Sequence, residues 1–112
     1  MNSTKPPGKV IKTANGHLSY EVYAASSEMV TIAGRLLEKE FGLRPITDPA
    51  VGLDEVALNI RKAGVRLGLG WDHWCGFYVT AYDEAGDSYI HKIARFLNGE
   101  FQDPKYERCL TL

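Results

Sequence analysis

Three runs decide the fold: Val56-Ala57-Leu58-Asn59-Ile60, Val65-Arg66-Leu67-Gly68-Leu69-Gly70-Trp71 and Phe77-Tyr78-Val79-Thr80-Ala81-Tyr82. In the first two, Val56, Leu58 and Ile60, then Val65, Leu67, Leu69 and Trp71, alternate with small or polar residues. A period of two marks a strand with one buried face. Arg61-Lys62-Ala63-Gly64 reads as the turn between them. Pairing Ile60 with Val65 sets Leu58 opposite Leu67 and Val56 opposite Leu69, so the apolar faces coincide. A loop from Asp72 to Gly76 then pairs Trp71 with Phe77, Leu69 with Val79 and Leu67 with Ala81. That register keeps the same face apolar, whereas an even-numbered loop reverses it.

Upstream, the β-prone runs Lys9 to Thr13 and Leu18 to Tyr23 flank Asn15-Gly16, a dipeptide suited to a type I′ hairpin turn. A helix follows, capped by Ser26 or Ser27, with Met29, Ile32, Ala33, Leu36, Leu37 and Phe41 in one stripe. Gly42 supplies its stop, Leu43 folds back on Leu37, and Pro45 prevents resumption. Arg44 to Leu53 reads as a connecting loop. Downstream, Asp83 to Gly86 turns into a second helix capped by Asp87 or Ser88. Ile90, Ile93, Ala94 and Leu97 form its buried stripe, and Asn98-Gly99 ends it. Phe101, Tyr106, Leu110 and Leu112 predict that the polar tail docks. Residues 1–8 are expected to be a loose tail before a single domain over residues 9–112. The order ββαβββα predicts an α+β two-layer sandwich: an antiparallel sheet of about five strands with both helices on one face.

The chain has 112 residues and a formal charge of −1 from 13 basic and 14 acidic side chains. A phosphate-backbone binder carries a basic excess, so nucleic acid is not the expected partner. No apolar stretch approaches the roughly 20 residues of a membrane helix, and the N-terminus lacks a secretory apolar core. Two cysteines, Cys75 and Cys109, are too few for a disulfide framework. The expectation is a cytoplasmic protein with reduced thiols, no membrane contact and no cofactor.

If the helices cover Leu67 and Leu69, the opposite face carries Glu55, Ala57, Asn59, Arg66, Gly68, Gly70, Tyr78, Thr80 and Tyr82. Tyr78 then lies across from Gly70 and Tyr82 across from Arg66. One reading is local repair, with aromatic rings covering glycines that leave nothing to pack. The other is a smooth floor for a partner, since Tyr, Trp and Arg dominate contact energies. Trp71 reads as core; Trp74 reads either as a cap on the sheet end or as an exposed anchor.

Chemistry is sparser. His73 and Cys75 are spaced to point the same way, but a closed zinc site needs four ligands and a catalytic one usually three. Asp72, His73 and Cys75 could instead line an enzyme or ligand pocket, with Cys75 as nucleophile. Against that, Asp72 suits a turn-maker bonded to its own backbone, and Cys75 suits a small buried hydrophobe. His91, beside the stripe of the second helix, is expected to be partly buried.

The string Leu69-Gly70-Trp71-Asp72-His73-Trp74-Cys75-Gly76-Phe77, followed by Gly86-Asp87 and a helix, resembles small bacterial α+β proteins, some of toxin-immunity type. The resemblance spans roughly residues 55–97. It implies a non-enzymatic inhibitor that masks a partner protein; the balanced charge departs from the acidic bias needed against a nuclease, which leaves other toxins. Trp74, Tyr78, Tyr82, Arg66, Asp72 and His73 are the expected contact residues, for a protein partner or a second copy in a homodimer.

Overall fold

In the computed structural model, which describes residues 6–46 and 48–110, Leu67, Leu69, Phe77, Val79 and Ala81 are buried against helices. The chain runs β1 (Lys9–Lys12), β2 (Leu18–Val22), α1 (Glu28–Phe41), β3 (Arg44–Pro45), β4 (Ala50–Val51), β5 (Glu55–Lys62), β6 (Val65–Asp72), β7 (Gly76–Ala81) and α2 (Glu84–Glu100). A 3-10 segment, Pro104–Cys109, follows. All pairings are antiparallel, in the order β1-β2-β7-β6-β5-β3, with β4 also on β5. This is the α+β architecture expected, with more strands than the five anticipated. Arg44 to Leu53 is not a plain loop, because Arg44 and Ala50 pair with Arg61 and Ala57 on the otherwise open edge of β5.

Both helices lie on one face. A Cβ on Gly34 of α1 would stand 3.5 Å from Leu69 Cδ2, and one on Gly86 of α2 only 2.9 Å from Ala81 Cβ. That close approach explains why Gly86 sits inside the helix rather than in the turn expected there. The cap is Asp83, whose carboxylate accepts from Gly86 N–H at 2.9 Å, and α2 runs through Asn98-Gly99 to Glu100. In α1, Ser27 holds the N-cap position without a side-chain bond, since its backbone is already helical. Gly42 ends α1 at φ 73°, and Leu43 N–H reaches back to Leu37 O at 3.4 Å.

Two turns differ from expectation. At Asn15-Gly16 only Gly16 takes positive φ, 87°, and Gly16 N–H bonds Thr13 O, so the turn is not type I′. Between β5 and β6 the register is Lys62↔Val65, Ile60↔Leu67, Leu58↔Leu69 and Val56↔Trp71. The expected pairing of Ile60 with Val65 is thus displaced by two residues. The faces survive because side chains repeat every two residues. The β6–β7 register is the expected one, Trp71↔Phe77, Leu69↔Val79 and Leu67↔Ala81.

Polar contacts tie down both Gly8 and Cys109, near the limits of the described residues. Gly8 N–H donates to Asn98 Oδ1 at 2.9 Å, and the buried Tyr20 hydroxyl donates to the same oxygen at 2.6 Å. The remainder of the expected loose tail, residues 1–5, and Leu112 lie outside the described residues. Phe101, Tyr106 and Cys109 are buried, and Ser26 N–H donates to Cys109 O at 2.8 Å.

Asp87, expected as a cap, instead joins α2 to the first hairpin. One carboxylate oxygen lies 2.9 Å from His17 Nδ1, the other accepts from Leu18 N–H at 2.8 Å. Those two hydrogen bonds hold its carboxyl below the ordinary carboxylate range. A depressed folded-state pKa adds stability above the unfolded value, lost as pH falls through the folded one. Melting temperature is therefore expected to drop below about pH 4, and Asp87→Asn should flatten part of that fall. Identical pH profiles for wild type and variant would contradict it.

Candidate functional site

The face of the sheet turned from the helices has a floor of glycine and tyrosine. Gly70 pairs with Tyr78 and Gly68 with Thr80. A Cβ on Gly70 would stand 2.5 Å from the Tyr78 hydroxyl oxygen, and one on Gly68 2.5 Å from that of Tyr82. The two rings therefore lie down over the glycines. Tyr82 donates to Asn59 Oδ1 at 2.8 Å, and the Arg66 guanidinium stacks over its ring at 4.9 Å. A depression of about 310 Å³ remains between Ala57, Asn59, Gly68, Tyr78, Thr80 and Tyr82. The expected repair is what the rings perform, covering Gly68 and Gly70, and they leave a shallow polar-aromatic surface between them.

One end of this floor is acidic. Glu55 pairs directly with Asp72, and Glu21 pairs with Tyr78. Burial, then the charge of Asp72, pushes the Glu21 carboxyl up. Burial first, then Asp72, Tyr82 and Glu55, pushes the Tyr78 hydroxyl up. The other end is basic, with Arg61 directly opposite Arg66 and Arg44 opposite Arg61.

Beyond the acidic end stands the tip of the β6–β7 loop. Asp72 Oδ1 accepts from Trp74 N–H at 2.9 Å and from Cys75 N–H at 2.6 Å, so Asp72 is the turn-maker that shapes the loop. The loop holds Trp74 out at 79% exposure. Trp71, by contrast, turns inward and donates from its indole N–H to Ala25 O at 2.8 Å. His73 projects sideways, its Nε2 3.8 Å from Asp54 Oδ1 and its ring edge-on to Trp71 and Trp74. Leu53, in the β4–β5 turn, is fully exposed, and Val51 and Tyr23 are largely so. Leu53 and Trp74 flank a cleft of about 360 Å³ together with Asp54, Glu55 and Asp72.

Asp72, His73 and Cys75 do not converge on that cleft: neither His73 nor Cys75 borders it. Burial and the nearby charges of Glu21 and Asp72 push the Cys75 thiol up, away from the thiolate a nucleophile needs. Both cysteines are free thiols. His91 is exposed, not partly buried, because it falls beyond the edge of the stripe formed by Ile90, Ile93, Ala94 and Leu97. Among the described residues no group of three or more His, Cys, Asp or Glu side chains is placed to share a metal ion, and no helix is long and apolar enough to cross a membrane.

Four residues of this surface do not stand out from the sequence. Leu53 and Val51 fall in an expected loop, and Tyr23 at a strand end. A leucine isolated as Gly52-Leu53-Asp54 is the one signal that points to the first of them. Arg61 falls in an expected turn, and only the shifted register brings it opposite Arg66. Comparison of the chain with protein-family models, curated proteins and solved structures finds no match.

Proposed function

We propose that the chain is a protein-binding module with no reaction of its own, masking a partner in the manner of an immunity-type inhibitor. Its contact surface comprises the Trp74 end and the adjoining face of Tyr78, Tyr82 and Arg66, with Asp72 and His73 between. The carrying observation is Trp74: a 79% exposed indole on a loop fixed by two bonds to Asp72, next to a fully exposed Leu53. Leaving two large apolar side chains together in water costs transfer free energy that a partner recovers on docking. The loop is pre-shaped, so little ordering entropy opposes that docking.

The test is capture of a partner from the cell of origin, followed by titration of that partner with wild-type and variant chains. Trp74→Ala is expected to weaken binding at least 30-fold, about 2 kcal/mol for a central aromatic anchor. Its melting temperature should stay within about 2 °C of wild type, because an exposed ring holds little of the core together. Undiminished affinity, or a wild-type chain that captures nothing, would sink the reading.

A further inference from the structure

We infer that the open sheet face closes on a second copy of this chain, two-fold related, with the basic end of each copy over the acidic end of the other. The inference rests on the reading of this face as a protein contact, and it adds a second copy that competes with the masked partner for the face while leaving the Trp74 tip to that partner. Its basis is a pattern on β5 and β6. Arg61 stands directly opposite Arg66, and six residues along the same two strands Glu55 stands directly opposite Asp72. Each is a like-charge cross-strand pair, an arrangement that destabilises a sheet. None of the four side chains is in an ion pair among the described residues. Arg44, next in the row, spends part of its charge on Glu38 at 3.7 Å.

The four residues share a face. Ile60 and Leu67 turn inward beside Arg61 and Arg66, and Val56 and Trp71 pack toward the core beside Glu55 and Asp72. The two pairs are about 20 Å apart at the usual strand rise. A two-fold axis in the plane of the face, perpendicular to the strands, exchanges the ends. It sets Arg61 and Arg66 of each copy over Glu55 and Asp72 of the other. The axis passes over the row of Leu58 and Leu69, between Ala57–Gly70 and Asn59–Gly68, above the shallow depression of the floor. An isologous contact needs just this self-complementarity, and a second copy is the one partner certain to carry the matching spacing. Edge-to-edge pairing is the poorer alternative: β1 is short with Lys9 and Lys12 at its ends, and β3 carries Pro45.

The test is sedimentation equilibrium of the full chain over a wide concentration range, at low and high salt. A dimer is expected whose dissociation constant rises at least tenfold between about 0.05 M and 0.5 M salt, because the charged ends are open to screening. The double variant R61E/R66E should be monomeric, with a far-ultraviolet circular dichroism spectrum like wild type. Glu55→Arg alone should also weaken self-association. Mixing the two variants should restore a mixed dimer, since each supplies the charges the other lacks. A wild-type chain that stays monomeric throughout, or a dimer that R61E/R66E leaves intact, overturns the inference. Titration of a captured partner with Trp74→Ala is read separately, so a monomer that still binds through Trp74 refutes the dimer and spares the binding module.

Discussion

Gly76→Ala is expected to remove a large share of the stability of the fold. Gly76 takes φ 73°, a region that costs a side-chain-bearing residue about 1–2 kcal/mol by itself. Steric overlap adds a greater cost. A Cβ there would lie 2.5 Å from the carbonyl oxygen of Tyr23 and nearer still to that of Val22. Both obstacles are backbone at the end of the strand that pairs with β7, so relief requires breaking the Val22↔Phe77 register rather than turning a side chain. The sum is roughly 3–5 kcal/mol, against a typical total of 5–15 kcal/mol for a small domain. Thermal unfolding should fall by roughly 15 °C or more. Gly16→Ala is the matched control: its φ of 87° is equally strained, but nothing stands within 4 Å of the added carbon. A loss for Gly76→Ala no greater than for Gly16→Ala would contradict the argument.

Alternation fixes which face of a strand is buried, so Leu67, Leu69, Val79 and Ala81 are legible inside and Tyr78 and Tyr82 outside. Alternation does not fix register, because a displacement of two residues preserves both faces; the β5–β6 pairing is displaced by that amount. The displacement matters most for the candidate surface. The expected register leaves Arg61 in a turn, whereas the true one sets it against Arg66 and makes the charge pattern visible. The short strands β3 and β4 are illegible for another reason. Two-residue strands carry no periodicity, and Pro45 argues against a strand except at an edge, the position it holds. Helix ends depart from expectation where tertiary contact outweighs local preference, as at Gly86, a turn residue by composition and a helix–sheet contact in fact.

The same alternation supports a paired experiment on two successive residues. Phe77→Ala is expected to cost about 3–5 kcal/mol, as for other buried aromatic truncations. Phe77 is fully buried and meets Phe101 edge-on at 6.2 Å, and Phe101 meets Tyr106 at 5.8 Å. Removing that ring therefore opens a cavity at the junction of the sheet, the end of α2 and the 3-10 segment. Tyr78→Ala, one residue on, should cost only about 1 kcal/mol, because its ring lies half-buried over Gly70 with water beyond it. For binding the ranking reverses. Tyr78→Ala should weaken contacts through the open face at least tenfold, by removing aromatic area from the centre of the floor. Phe77→Ala, assayed below its lowered melting temperature, should leave that affinity within about threefold, since the ring touches nothing on that side. Denaturant unfolding and sedimentation equilibrium on the two variants separate the effects. Equal destabilisation by both substitutions would place Tyr78 in the core, and the open face would then be a covered layer of the fold rather than a surface that meets another protein.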